Sequence, residues 1–122
     1  MTEFMYWVLI ASWQMWVPVL PIESKDMPAL WAELCNSCET RKYIVSENTL
    51  RYGKSEFLRL TAYHEVCHVK LGHNVEYFDD HPHWSAEREV DACLEEFLGI
   101  SSGEQQKMQS AAVAWYYGEG KE

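Results

Sequence analysis

The stretch His64-Glu65-Val66-Cys67-His68 follows the pattern H-E-x-x-H, and the rest of the chain is best interpreted outward from it. On an α-helix, residues four positions apart lie one above the other on the same face. Both histidines could therefore bind one Zn²⁺, while the glutamate beside the first reaches a water molecule at the metal. The alternative is a surface helix with two unrelated histidines. A suitably placed third ligand would favour the metal site.

A candidate third ligand lies 19 residues beyond His68, in Ser85-Ala86-Glu87-Arg88-Glu89-Val90-Asp91-Ala92. We predict a second helix here, on which Glu87 and Asp91 share one face because they are four residues apart. Glu87 is the predicted ligand. Asp91 is predicted to accept the N–H of a ligating histidine, a contact that fixes the tautomer of the ring. Glu89 is the alternative ligand but lies about 200° around the helix, and a solvated acidic face is the alternative to a site.

Other histidines fit a ligand role less well. In this numbering, a metzincin would have a glycine at position 71 and its third histidine at position 74. This chain has Leu71 and Asn74 instead, and His73 is one residue out of place. His81 and His83 fall in a predicted loop across the cleft, from 74 to 84. They could swing toward the metal, border the cleft as hydrogen-bond donors, or be exposed loop residues.

The segment from Thr61 to His73, followed by Glu87-x-Glu89-x-Asp91-Ala92, resembles gluzincin metallopeptidases of the ImmA/IrrE type and the small minigluzincins. In those families H-E-x-x-H often precedes Leu-Gly-His, and an E-x-E-A-[DN] helix supplies the third ligand. The resemblance covers residues 57 to 98. It implies a zincin-like α+β fold, in which a small mixed sheet or hairpin packs on the H-E-x-x-H helix, a third-ligand helix and a C-terminal helix. It also implies a zinc-dependent endopeptidase whose protein substrate is a transcriptional repressor.

The predicted chemistry is hydrolysis of a peptide bond. Zn²⁺ held by His64, His68 and Glu87 polarises the carbonyl, and Glu65 moves the proton of water to the leaving amine. One further donor would stabilise the oxyanion. The candidates for that donor are Tyr77, His81, His83, Tyr116 and Tyr117.

Two other functional classes stay open. A catalytically silent module could bind a partner protein around a structural zinc, if His81 or His83 completed a closed set of four ligands. A latent peptidase could be blocked by the Tyr116-Tyr117 segment until a partner displaces it.

Composition predicts one domain over residues 1–122 and limits the partners. The hydrophobic fraction of 48% and aromatic fraction of 14% argue against disorder. A formal net charge of −9 disfavours direct binding to nucleic acid or to an anionic membrane. A basic segment of another protein is a better electrostatic match.

Four cysteines are too few and too irregularly spaced for a secreted disulfide scaffold. Cys67 and Cys93 are predicted to be small packing residues. Cys35 and Cys38 form a lone C-x-x-C, which we interpret as packing at a helix end, with redox chemistry or metal binding as alternatives. Reduced thiols and a cytoplasmic location are therefore expected.

Local patterns predict the remaining elements. Phe4 to Leu20 carries no charge and is predicted to be a core strand, or a short helix leading into one, with a membrane or interfacial segment as the alternative. Asp26 and Pro28 open a predicted helix that ends near Cys38. A hairpin is predicted from 42–46 and 49–52. Three further helices are predicted: one capped by Ser55 and ended by Gly72, one capped by Ser85 and followed by Gly99, and one from Gly103 to Tyr117.

Overall fold

A computed structural model describes residues 3–17, 20–24, 32–34, 42–73 and 75–120, and the side chains of 3–17, 50–73 and 76–118. The described backbone forms α-helices, three short strands and one π-helical turn. In chain order these elements are α1 (Glu3–Met15), β1 (Leu20–Ser24), β2 (Ala32–Leu34), β3 (Lys42–Ser46), α2 (Glu47–Tyr52), α3 (Ser55–Lys70), α4 (Val75–Asp80), α5 (His83–Leu98), α6 (Ser102–Trp115) and the π-helical turn Tyr116–Gly120.

Helices form the body of the molecule. Where side chains are described, 85% of the residues are helical and none lies in a strand. The predicted α+β class, with a mixed sheet or hairpin packed on the H-E-x-x-H helix, is therefore wrong. The element that packs most extensively on α3 is helix α1. The strands are confined to the segment between α1 and α2, where β3 lies between a parallel β1 and an antiparallel β2.

Helix α1 occupies most of the segment for which a strand was one prediction. Its buried residues recur three or four positions apart, which places them on one helical face. They are Phe4, Val8, Ala11, Ser12 and Met15. The buried Ser12 hydroxyl is satisfied because it donates to the Val8 carbonyl over 2.7 Å. The prediction of a core element is confirmed, whereas a strand is wrong over α1. Among the described residues, no helix has the length and apolarity needed to cross a bilayer.

Polar contacts join α1 to α3 along the edge of this core. The Tyr63 hydroxyl donates to Gln14 Oε1 over 2.6 Å, and the Arg59 guanidinium lies 5.1 Å from the centroid of the Trp7 ring. The Ser55 hydroxyl donates to the Glu3 carboxylate. Ser55 is the first residue of α3 and Lys54 is its N-cap. The predicted Ser55 cap is therefore wrong, because its hydroxyl is used between helices.

Other local predictions differ from the structure between the main helices. Residues 49–52 lie in α2, so only the first half of the predicted hairpin is a strand. Ala32–Leu34 is a strand where a helix was predicted, and the rest of that predicted helix lies outside the described residues. The predicted loop from 74 to 84 contains helix α4. The N-cap of α5 is Pro82, so the predicted Ser85 cap is also wrong.

The glycines predicted at the C-terminal ends of two helices are confirmed. Gly72 and Gly99 have positive φ values of 73° and 67°, a conformation that glycine adopts without steric cost. After Gly72 the chain turns back, and the amide of His73 donates to the carbonyl of His68 over 2.9 Å. The turn therefore brings a third histidine against the end of α3.

A disulfide links the two helices that carry the predicted ligands. Cys67 of α3 and Cys93 of α5 are bonded, with their Cα atoms 6.2 Å apart. The expectation of reduced thiols is therefore wrong for this pair, although both side chains are buried, as predicted for packing residues. Pairing depends on how two helices cross, which the spacing of cysteines in a sequence does not reveal. Cys35 and Cys38 lie outside the described residues.

Reduction of the Cys67–Cys93 bond should lower the free energy of unfolding. The bonded residues are 26 positions apart, and closing a loop of that length restricts the unfolded chain by about 3.5 kcal/mol. We expect a phosphine reductant to lower the urea midpoint. The variant Cys67→Ala/Cys93→Ala should have a lower urea midpoint than the wild type, and the reductant should not change it. In Cys35→Ala/Cys38→Ala the reductant should still lower the midpoint. Alkylation of Cys67 and Cys93 in denatured, unreduced protein would contradict the bond.

Candidate metal centre

Helices α3 and α5 bring the three predicted metal ligands together. The Nε2 atoms of His64 and His68 are 3.2 Å apart. Glu87 Oε2 lies 3.4 Å from Nε2 of His64, and Glu87 Oε1 lies 3.3 Å from Nε2 of His68. All the candidate ligand atoms lie within 4.8 Å of one another. The two halves of the sequence pattern therefore meet at one point in the fold.

These separations fit a zinc ion. Zinc bonds to nitrogen and oxygen are ~2.0–2.1 Å long, so two ligand atoms at a tetrahedral angle lie roughly 3.3 Å apart. The two Nε2 atoms, 3.2 Å apart, match that edge length, and each of them has one oxygen of the Glu87 carboxylate at 3.3–3.4 Å, Oε2 for His64 and Oε1 for His68. Two imidazoles and one carboxylate are also a donor set found in catalytic zinc sites, which keep a fourth position for water or substrate. The residues present thus fit zinc in both distance and donor chemistry.

The site is sheltered on the histidine side and open on the glutamate side. The side chains of His64 and His68 are 18% and 16% exposed, whereas that of Glu87 is 54% exposed. Burial lowers the pKa of His64 to about 4, and charge on His68 acts in the same direction. A hydrogen bond with His68 lowers the pKa of Glu87. Neutral imidazole and ionised carboxylate, the forms that bind metal, are therefore both favoured.

The H-E-x-x-H residues divide between the site and the core. Val66 and Cys67 are fully buried in the core, while His64 and His68 direct their Nε2 atoms toward Glu87. Glu65 is half-buried and stands about 100° around α3 from His64. It therefore lies at the border between the metal face and the rest of the helix.

Asp91 lies one turn after Glu87 on α5, and its side chain is half-buried. Burial and the nearby Glu87 charge both raise its pKa. At the predicted ligand His68, Nδ1 is contacted by His73, whose own Nδ1 is 2.8 Å away. A hydrogen bond from Asp91 to a ligating histidine remains a prediction.

Glu89 lies outside the three-ligand cluster but is linked to it. Its Oε2 lies 3.5 Å from Nε2 of His73 and accepts a 2.7 Å hydrogen bond from the Tyr77 hydroxyl. Sequence reasoning missed His73, treating it only as a misplaced third ligand. The available signal was Gly72, since a glycine at a helix end allows the chain to turn back on the last helical turn.

The remaining predicted contacts lie on α4, just after it, at the start of α5 and in the C-terminal turn. The rings of His81 and Tyr77 stack with centroids 4.1 Å apart, and those of His83 and Phe78 with centroids 4.4 Å apart. Both histidines are exposed. Tyr116 and Tyr117 contact each other in the π-helical turn, which packs beside α2. Roles for these residues in binding an oxyanion or a substrate remain predictions.

Acidification should destabilise the metal-free protein. The ordinary pKa of His64 is 6.5, and the folded protein lowers it to about 4. Between these values the unfolded chain binds more protons, so the free energy of unfolding falls as the pH falls, by up to about 1.4 kcal/mol per pH unit. Burial also lowers the pKa of His73, which adds an effect of the same sign.

Urea unfolding with a chelator present, at several values between about pH 7 and pH 4, measures this slope. The variant His64→Asn cannot titrate at this position and should show a shallower slope than the wild type. Identical slopes for the two proteins would contradict the burial of neutral His64.

No protein-family model matches this chain, and no curated protein or solved structure was found to be similar. The resemblance to gluzincins therefore remains an expectation from short motifs. Function must be inferred from the geometry of His64, His68, Glu87 and their neighbours.

Proposed function

We propose that this chain is a zinc-dependent endopeptidase, with His64, His68 and Glu87 as the metal ligands. The observation that carries the proposal is that the Nε2 atoms of His64 and His68 lie 3.2 Å apart on one helix, while the Glu87 carboxylate on a second helix places one oxygen 3.4 Å from the first and the other oxygen 3.3 Å from the second. Helical spacing alone relates His64 to His68. It does not bring Glu87 of α5 to the same distance from both rings, so this agreement is independent support for one shared ion.

The chemistry of hydrolysis is divided between the metal and the chain. Zinc in this site supplies Lewis acidity, which lowers the pKa of water and polarises a substrate carbonyl. Glu65, beside His64 and half-buried, is the general base that takes a proton from water and returns it to the leaving amine. The exposed edge at Glu87 is the side from which a polypeptide approaches.

The proposed substrate is a protein or peptide with basic character. A net charge of −9 attracts cationic segments and repels nucleic acid. The gluzincin resemblance suggests a transcriptional repressor as one such substrate. The cytoplasmic location expected from reduced thiols loses that support, because Cys67 and Cys93 are bonded and persistent disulfides are rare in that compartment.

A silent binding module with structural zinc is less well supported. Structural zinc sites are closed by a fourth protein ligand, commonly cysteine or histidine. Among the described residues, the candidate metal cluster contains three residues and includes neither His81 nor His83. The stacking of these two histidines on Tyr77 and Phe78 gives them another structural role.

Metal analysis and hydrolysis of quenched fluorescent peptides, some of them basic, test the proposal together. We expect near-stoichiometric zinc in the wild type and in Glu65→Gln. His64→Ala and Glu87→Ala should bind zinc at least about 100-fold more weakly, since loss of a ligand exceeds the 10–100-fold effect typical of outer hydrogen-bond partners. Loss of the general base in Glu65→Gln should slow hydrolysis by about 10²–10⁴-fold.

Glu95→Ala is the matched control for Glu87→Ala, since Glu95 is an exposed glutamate on the same helix. It should keep both zinc and activity. Full zinc occupancy in Glu87→Ala would reject Glu87 as the third ligand. Zinc-loaded wild type that hydrolyses no faster than Glu65→Gln would reject the peptidase and favour the binding module.

A further inference from the structure

A buried histidine contacts the predicted ligand His68 from the side away from the metal. The Nδ1 atoms of His68 and His73 are 2.8 Å apart, and the His73 side chain is 0% exposed. We propose that His73 is a positioning residue that holds Nε2 of His68 toward the metal, and that Glu89 orients His73 in turn. This inference rests on the metal site of the proposed function.

The protonation pattern follows from the positions of the nitrogen atoms. Nε2 of His68 faces His64 and Glu87, so it is the atom that offers a lone pair to the metal. A neutral imidazole then carries its proton on Nδ1. Nδ1 of His68 therefore donates, and Nδ1 of His73 accepts. The proton of neutral His73 must consequently lie on its Nε2.

Glu89 favours this tautomer of His73. Its Oε2 lies 3.5 Å from Nε2 of His73, slightly beyond ordinary hydrogen-bond length. A proton on Nε2 is attracted to this carboxylate, whereas a lone pair there would be repelled. Within the described part of the chain, the buried Nε2 has no closer hydrogen-bond partner. The Tyr77 hydroxyl fixes Glu89 by donating to Oε2 over 2.7 Å, and it lies 2.9 Å from Ser85 Oγ.

A backbone hydrogen bond also holds His73 against His68. Gly72 has a φ of 73°, and the following amide of His73 donates to the His68 carbonyl over 2.9 Å. The ring of His73 also contacts that of Tyr77, with centroids 4.5 Å apart. His73 is thus held by both its main chain and its side chain, as expected for a residue that orients a ligand.

The same geometry separates this role from that of a fourth ligand. His73 contacts His68 at Nδ1, while the cluster of candidate ligands uses Nε2 on the opposite edge of the His68 ring. One ion cannot be shared by His73 and by Nε2 of His68. His73 is also absent from the metal cluster found among the described residues.

The test is zinc affinity, measured by competition with a chelator, in a series of variants. His73→Leu removes the acceptor and should weaken zinc binding by about 10–100-fold. His73→Asn can place its side-chain oxygen near the former Nδ1 position and should recover part of that loss. Glu89→Gln should give a smaller loss than His73→Leu, and Glu95→Gln on the exposed face of α5 should give none.

A second readout reports the tautomers directly. In zinc-loaded wild type labelled with ¹⁵N-histidine, NMR should place the protons on Nδ1 of His68 and Nε2 of His73. Zinc on Nε2 of His68 by itself places the proton of that ring on Nδ1, so the informative signal is the proton on Nε2 of His73, which a residue that merely packs would not require. Thermal unfolding of the metal-free variants identifies any that have lost the fold.

The outcomes separate this inference from the proposed function. Wild type that binds no zinc would reject the metal site, and this inference with it. If the wild type binds zinc and a folded His73→Leu binds it with equal affinity, the inference is overturned while the metal site stands. If His73→Leu does not fold, a proton on Nδ1 of His73 in the zinc-loaded wild type would overturn it, and a proton on Nε2 of His73 together with zinc binding by His73→Asn would support it.

Discussion

Helices α3 and α5 meet through a shared buried core, and a disulfide fixes one point of their crossing. Val66 and Cys67 of α3 belong to the same core as Val90 and Cys93 of α5, and the two cysteines are bonded. The candidate ligands lie close to this crossing, since His68 directly follows Cys67. Small rotations of either helix would move Glu87 away from one histidine or the other. The site therefore depends on tight packing between two helices more than on the H-E-x-x-H helix alone.

This arrangement makes the candidate metal site sensitive to any change in the packing of α3 against α5. A bond that restricts the unfolded chain also limits how far α5 can shift in the folded one. In a reducing compartment the same pair would be buried thiols, which still pack as small apolar groups. The ligand geometry would then rely on apolar contacts of Val90 and Leu94, both fully buried. Oxidation thus adds rigidity to a site that packing already defines.

The parts of the molecule that follow from local spacing could be predicted from the sequence. Residues four apart determine that His64 and His68 share a face, and glycines mark the ends of α3 and α5. The disulfide and the contact between His73 and His68 could not be predicted, because both depend on how separate segments cross or turn back. Helix α1 was only partly anticipated. Its tryptophans and valines suggested a strand, while the helical spacing of Phe4, Val8, Ala11 and Met15 gave the better signal.

The buried chain of polar groups behind His68 also has an energetic consequence. A buried nitrogen without a short hydrogen bond costs about 1–3 kcal/mol, and Nε2 of His73 is in that position. A metal on Nε2 of His68 fixes a proton on its Nδ1, so the contact with His73 becomes a defined donor–acceptor pair. Because Nδ1 of His73 is the acceptor of that pair, the proton of His73 lies on Nε2 and points toward the Glu89 carboxylate. Binding free energy at a preformed site adds to folding free energy. Zinc bound as proposed would therefore offset part of the cost of burying His73.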